Sequence, residues 1–164
     1  MKKFVSFTSV AFAITVACIS CAESKDIAAS QLAFKGTPTF SSIYKDTIVF
    51  TSDDIKSFNG STGELSFNDP KISTKIKNYF ILQCYMGKDS LFSVNLTSDV
   101  MSYIVNDLVL NQDMKEGKTY LQDGYPSWIN NSQAVMLRTK NKEKRVSAWT
   151  RFVTQLKKEG KYEE

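Results

Sequence analysis

The segment Ile76-Lys-Asn-Tyr-Phe-Ile-Leu-Gln-Cys-Tyr-Met86, followed by Gly87-Lys-Asp89 and then by Ser90-Leu-Phe-Ser-Val-Asn-Leu-Thr97, contains the clearest alternation in the chain. Every second residue is apolar from Phe80 to Met86 and again from Phe92 to Leu96, which predicts two adjacent β-strands. A three-residue loop would place three apolar pairs on one face: Cys84 with Phe92, Leu82 with Val94, and Phe80 with Leu96. A two-residue loop would bury Ser93 instead, so we expect the three-residue loop.

Shorter elements surround this hairpin. Thr47–Thr51 is rich in β-branched residues and predicts a strand, and Thr51-Ser52-Asp53-Asp54 matches a capping box. Because Ile55 and Phe58 lie three residues apart, a short helix is expected to follow the box. Further strands are expected at Glu64–Asn68, Asp107–Asn111 and Lys118–Asp123, and a brief helix at Ser98–Val105.

The C-terminal part of the chain has helical periodicity. Asn131 or Ser132 is expected to cap a helix that runs to about Lys158, followed by Gly160. Its buried stripe is expected to contain Val146, Trp149, Phe152, Val153 and Leu156, and its solvated first half Arg138, Lys140, Lys142, Lys144 and Arg145. The predicted fold class is therefore α+β: an antiparallel β-sheet of about five or six strands with a long C-terminal helix packed on one face.

The first residues have the pattern of a secretory signal. Lys2 and Lys3 precede a short apolar run that ends near Ser20-Cys21, and that run is too short to span a bilayer. A cysteine at the cleavage position indicates a lipoprotein signal at residues 1–20, with Cys21 as the acylated residue. Cys18 is the second choice for the lipid, and plain cleavage after Ala22 is the alternative without lipid.

The division of the mature chain follows from that assignment. Residues 21–36 contain few large apolar side chains and are expected to form a flexible tether, with a short helix over 27–34 as the alternative. Residues 37–164 are then expected to form a single α+β domain.

The chain contains no histidine. A Ser-His-Asp or Cys-His arrangement therefore cannot form, and catalytic zinc sites, which rely on histidine, are not expected. Cys84 lies in a predicted strand and is interpreted as a buried, apolar thiol. The sequence thus predicts no catalytic residue, no metal site and no cofactor.

The charge pattern argues against nucleic acid as a partner. The whole chain carries a formal net charge of +4, and two of its lysines would leave with the signal. Basic residues are concentrated from Arg138 onward. This basic helix could meet anionic headgroups or an acidic partner, or it could simply be the solvated face of an amphipathic helix.

The segment Asp123-Gly-Tyr-Pro-Ser-Trp128 is the best candidate for a ligand surface. Tyr125 and Trp128, beside glycine and proline, could form a platform for a sugar or a peptide. Alternatively, Trp128 packs as a hydrophobic staple before the helix and Tyr125 covers the sheet edge.

The acidic residues give weaker signals. Asp53 and Asp54 are interpreted as helix-capping residues rather than as a metal clamp or half of a glycosidase pair. Asp107, Asp113 and Asp123 lack calcium-loop spacing and are interpreted as turn residues.

Three segments resemble small lipoproteins of Gram-negative gut anaerobes: residues 47–59, 123–131 and 148–161. The resemblance implies export and lipidation, and it carries over no activity and no catalytic residue. It also implies O-glycosylation at Asp-Ser/Thr-apolar triplets, for which Ser90 and Thr47 are the candidate acceptors.

These observations lead to one expectation and two alternatives. We expect a lipoprotein of the cell envelope, at the outer membrane, held by its lipid and binding a glycan, a peptide or an envelope protein without catalysis. The first alternative is an assembly subunit that docks through a sheet edge or the C-terminal helix. The second is a histidine-free carboxylate hydrolase.

Overall fold

The computed structural model describes residues 30–39 and 46–164. The strands in this part of the chain are β1 (Leu32–Gly36), β2 (Thr47–Thr51), β3 (Ile55–Asn59), β4 (Leu65–Phe67), β5 (Ile81–Met86), β6 (Asp89–Ser98), β7 (Val105–Asp113), β8 (Lys118–Tyr125) and β9 (Tyr162–Glu163). The helices are α1 (Lys71–Ile76) and α2 (Ser132–Lys158), and a 3-10 turn covers Ser52–Asp54. Six strands form one sheet in the order β2-β1-β5-β6-β7-β8, and three form a second in the order β4-β3-β9.

The α+β class is confirmed, but the expectation of a purely antiparallel sheet with one helix is wrong. β6 and β7 are parallel neighbours, with Asn95–Ser98 beside Val109–Gln112. The carboxylate of Asp99 accepts hydrogen bonds from the Asn111 amide and the Met114 N–H, which holds the start of the connection beside the end of β7. The chain must therefore travel back before β7 begins. The helix expected at Ser98–Val105 does not form in this connection.

The β5–β6 hairpin has the predicted register but not the predicted loop. Cys84 faces Phe92 and Leu82 faces Val94, as expected. The loop contains only Gly87 and Lys88, because a bulge after Cys84 pairs Tyr85 with Ser90 and leaves Leu91 as the extra residue. The strand begins later than predicted, at Ile81, and Phe80 is exposed.

β1 corrects the predicted tether. Residues 32–36, expected to be flexible, form a strand between β2 and β5. Leu32, Ala33 and Phe34 are buried, and the Phe34 ring stacks on that of Phe50 at 4.3 Å between centroids. A strand buried on both faces shows no alternation of apolar and polar residues, which explains why its pattern was missed. The possible helix over 27–34 is also excluded for residues 32–34, and residues 1–29 lie outside the described residues.

The first predicted short helix is wrong in type, although its capping residues are correct. The Asp54 carboxylate accepts hydrogen bonds from the Thr51 N–H at 2.8 Å and from the Thr51 hydroxyl at 3.2 Å. The segment after this turn is β3 rather than a helix. A bulge between Ile55 and Ser57 turns both Ile55 and Phe58 into the core, so the strand acquires the three-residue spacing of a helix. The strands expected near β2, β4, β7 and β8 are present.

Helix α2 packs across the large sheet and supplies the centre of the core. The Asn131 side chain caps it by accepting the Ala134 N–H, as expected for this residue. Phe152 and Leu156 are fully buried, and the Phe152 ring makes edge contacts with Phe34, Phe58 and Phe92. Val146, expected in the buried stripe, is 55% exposed.

Candidate functional site

A cleft of about 340 Å³ opens between the middle of α2, strands β7 and β8, and the turn that joins β3 to β4. Its lining divides into an apolar part and a polar part. The apolar side chains are Phe58, Leu108, Leu121, Val146 and Trp149, and the polar or charged ones are Ser61, Thr62, Gln122, Asp123, Lys142, Arg145 and Thr150. A concave site with apolar walls and a few polar groups is typical of small-ligand pockets.

Arg145 joins the helix to both strands at the polar wall. Its side chain is only 9% exposed, and its two terminal nitrogens bind two different carboxylates. Nη1 donates to Asp107 Oδ1 at 2.8 Å, and Nη2 donates to Asp123 Oδ1. Lys142, one turn earlier, also pairs with Asp123, at 3.2 Å between Nζ and Oδ2.

Strand geometry explains how two aspartates reach one guanidinium. Asp123 on β8 lies opposite Leu108 on β7, and both line the cleft. The bulge between Val105 and Leu108 lets Asp107 turn to the same side as its neighbour. The Leu108 N–H donates to Asp107 Oδ1 at 2.7 Å, which fixes that carboxylate.

Burial lowers the pKa of Arg145, and the neighbouring Asp107 carboxylate raises it. A guanidinium remains protonated at neutral pH even so, because its ordinary pKa lies far above 7. The polar wall is therefore a permanently charged network. Both carboxylates are engaged by the same cation, so neither is free to act as the separate acid or base of a glycosidase.

Trp149 forms the aromatic wall of the cleft and is held rigidly. Its ring lies 5.9 Å from Phe58, 5.9 Å from Phe92 and 5.3 Å from Phe152, measured between centroids. The side chain is half-buried, so part of the indole faces the cleft. A fixed aromatic ring beside charged hydrogen-bonding groups can orient a ligand that has one apolar face.

Tyr125 does not form the predicted platform. It is buried, and its hydroxyl donates to the backbone carbonyls of Ser98 and Met101 at 2.8 and 3.0 Å. Burial raises the pKa of this phenol, and the Asp99 carboxylate adds to the effect. Tyr125 therefore ties the β6–β7 connection to β8 instead of contacting a ligand.

Trp128, the other predicted ligand residue, is 77% exposed, so the staple interpretation is wrong as well. Its loop is fixed by Arg138, whose nitrogens donate to the carbonyls of Pro126 and Ile129 and to the Asn106 side chain. The loop thus presents an exposed tryptophan outside the lining of the cleft.

The structure describes the two candidate glycosylation sites but neither candidate lipidation site. Ser90 and Thr47 are both exposed, and their hydroxyls bond to Gln83 and Tyr79 respectively. Cys84 is a buried free thiol, as expected, and burial raises its pKa. Cys18 and Cys21 lie outside the described residues.

The cleft was not predicted, because Asp107 and Asp123 have the pattern of turn residues and Arg145 that of a solvated residue. One signal was present: Lys142, Arg145 and Trp149 recur at helical spacing and so share a helix face. The two carboxylate partners of Arg145, Asp123 and Asp107, lie 22 and 38 residues away from it along the chain. No local sequence pattern connects them with the helix.

Among residues 30–39 and 46–164, no group of three or more acidic, cysteine or histidine side chains could hold a metal ion. Neither helix in these ranges is both long enough and apolar enough to cross a membrane. Comparisons with protein-family models, with curated proteins and with solved structures found no match.

Proposed function

We propose that this chain is a lipid-anchored protein of the cell envelope that binds a ligand in the cleft without transforming it. The observation that supports this most is the fixed Arg145 network beside the half-buried face of Trp149. Rigid polar groups next to a rigid aromatic wall provide the preorganisation that binding sites need. Engagement of both carboxylates by Arg145 and the lack of histidine favour binding over hydrolysis.

Binding is tested by the fluorescence of Trp149 in a Trp128→Phe variant, where Trp149 is the single tryptophan. Three ligand classes are titrated: neutral oligosaccharides, acidic oligosaccharides and short peptides. We expect one class to change the emission with saturation, because the indole lines the cleft. If no member of any class does so, the proposed binding role is wrong.

The anchor belongs to the same proposal and rests on the signal pattern at residues 1–21. With the lipid on Cys21, residues 22–31 separate the membrane from β1, and ten extended residues reach at most about 35 Å. The start of β1 would therefore lie closer to the membrane than the longer tether of 21–36 would allow.

The anchor is tested by metabolic labelling with palmitate. We expect Cys21→Ala to abolish the label and Cys18→Ala, the matched control, to retain it. Label that survives in Cys21→Ala and disappears in Cys18→Ala would move the anchor to the second candidate. If both variants keep the palmitate label, lipidation at this segment is contradicted.

A second candidate function, docking to an envelope protein, is favoured by the exposed Trp128. Val135 and Met136, in the first turn of α2, are also exposed. A photo-crosslinker placed at position 128 in intact cells should then yield a discrete protein adduct, whereas one placed at exposed Thr139 should not. The absence of any adduct at 128 would count against docking at this surface.

A further inference from the structure

The charged groups that line the cleft are balanced once Asp107 is included, which pairs with Arg145 but lies outside the lining. Two cations, Lys142 and Arg145, are paired with two carboxylates, Asp107 and Asp123, in one connected network. An anionic ligand would have to compete with both carboxylates for Arg145, and a cationic ligand would have to compete with Arg145 for them. A ligand without net charge meets neither penalty.

The remaining walls favour a ring with one apolar face and several hydroxyls. Trp149, Val146 and Leu121 supply an apolar side, and Trp149 cannot turn away because three phenylalanine rings surround it. The C–H face of a sugar ring matches such a surface. Each sugar hydroxyl can both donate and accept a hydrogen bond. It can therefore bind the cationic donors and the carboxylate acceptors of the network at the same time.

Three neutral polar side chains in the lining can also donate and accept hydrogen bonds: Thr62, Thr150 and Gln122. The Thr150 hydroxyl donates to the Val146 carbonyl and keeps its oxygen as an acceptor. The Thr62 hydroxyl donates to Asn59 and accepts from the Glu64 N–H, which leaves one lone pair for a ligand. Gln122 donates its amide nitrogen to the Gly124 carbonyl at 3.4 Å and keeps its oxygen as an acceptor. The cleft volume of about 340 Å³ lies near the lower end of the range of about 300–1,000 Å³ for small-ligand pockets.

We propose that the ligand of this cleft is a neutral saccharide whose apolar face lies on Trp149 and whose hydroxyls bind the Arg145–Asp123–Lys142 network. This inference rests on the proposed binding function and narrows its ligand to one chemical class.

The test uses the full-length protein in detergent micelles, with the Trp128→Phe substitution and Trp149 emission as the signal. The probes are maltotriose, cellotriose and mannotriose as neutral saccharides, trigalacturonate as an acidic one, and a capped tetra-alanine peptide. We expect at least one neutral probe to saturate the signal, with no saturation by trigalacturonate or the peptide at the same concentrations.

Matched variants locate the binding. Val146→Asp places a charge inside the cleft at an exposed position and should weaken neutral binding at least tenfold. Ser147→Asp places the same charge on the adjacent, exposed residue outside the lining and should leave the binding unchanged. Asp107→Asn leaves the network with a net positive charge, so trigalacturonate should begin to bind.

The outcomes separate the two proposals. Saturation by trigalacturonate or the peptide alone overturns the neutral-saccharide inference and retains a binding role for the cleft. Neutral binding that is equally weakened by Val146→Asp and Ser147→Asp overturns the assignment to this cleft. If no probe changes the Trp149 emission, both proposals are wrong.

Discussion

Arg145 is the residue on which the polar wall of the cleft depends. It is almost fully buried, whereas its partners are more exposed: 52% for the Asp107 side chain and 34% for that of Asp123. The guanidinium therefore depends on both carboxylates to offset its desolvation. Without Arg145, Asp107 would lose its ion pair and Asp123 would keep only the more exposed Lys142.

Replacement of Arg145 by methionine should lower the free energy of unfolding by about 1–3 kcal/mol, because it removes the ion pair of Asp107 and leaves Asp123 with Lys142 alone. The partial exposure of both aspartates places the value toward the lower end. Lys142→Met is the matched control, since Lys142 is 67% exposed, and should change stability by less than about 0.5 kcal/mol. Urea unfolding monitored by circular dichroism measures both, and equal stabilities would contradict the structural role of Arg145.

Cys84 gives a prediction in alkaline solution. Burial raises the pKa of its thiol, so the folded protein keeps this proton above pH 8.5, where an exposed cysteine loses it. The unfolded state then binds fewer protons, and stability must fall as pH rises. We expect a fall of about 1 kcal/mol from this group between pH 8.5 and 9.5.

The comparison that isolates Cys84 is a Cys84→Ala variant measured at the same pH values. It should be less stable than the parent at pH 7 because of the small cavity, but it should lack the alkaline decline of this group. If parent and variant decline in parallel from pH 8.5 to 9.5, the thiol is not responsible.

Among single residues, the sequence allowed prediction of those whose role is local. Asn131 as a helix cap, Asp54 as a capping-box residue and Cys84 as a buried thiol follow from neighbours within a few positions. Tyr125 and Arg145 were misassigned because their partners come from distant strands and loops. A buried polar contact between distant segments leaves no periodic signal.

At the level of elements, bulges account for two of the differences between prediction and structure. The bulge at Leu91 lets a two-residue loop produce the register expected for three residues. The bulge between Ile55 and Ser57 gives a strand the apolar spacing of a helix. The apolar pattern therefore allowed prediction of which residues of β5 and β6 face each other. It did not allow prediction of the bulges in β6 and β3.

The loop that carries Trp128 depends on Gly124, which has a φ of +95° and lies directly against the Arg138 guanidinium. Gly124→Ala should lower stability by about 2–4 kcal/mol, because it strains the backbone and displaces an arginine that makes three hydrogen bonds. It should also alter the emission of Trp128.

Gly117→Ala separates the two causes. Gly117 has a φ of +68° but no atom within 4 Å of an added Cβ, so its substitution should cost only about 1 kcal/mol. Thermal unfolding of both variants gives the comparison. Equal losses would show that the contact with Arg138 contributes nothing.

At the level of the whole molecule, β1 joins the β2 edge to the rest of the large sheet. Residues 22–164 should therefore fold, whereas residues 37–164, which lack this buried strand, should not. The shorter chain would lose the pairing of β1 with both β2 and β5 and the stacking of Phe34 on Phe50. Circular dichroism and cooperative unfolding in urea distinguish the two chains. If residues 37–164 fold cooperatively, β1 is not required for the domain and the predicted tether of 21–36 is supported.

The overall class could be predicted from sequence, and the topology could not. Alternating strands and a periodic C-terminal segment are local features and indicate α+β. The parallel contact of β6 with β7 and the pairing of β9 with β3 join segments by long-range contacts that alternation does not encode. The cleft likewise lies where α2, strands β7 and β8 and the β3–β4 turn meet, and no local pattern in the sequence encodes that meeting.

Helix α2 is attached to the sheets in two chemically different ways. Arg138 and Arg145 hold its first half through hydrogen bonds and charge, and Phe152 holds its second half among aromatic rings. Ionic screening shortens the reach of charges to about 3 Å at 1 M sodium chloride, but it leaves ring packing intact. Concentrated salt should thus weaken the exposed pair of Lys142 with Asp123 beside the cleft, whereas the pairs of the buried Arg145 and the aromatic contacts of Phe152 should persist.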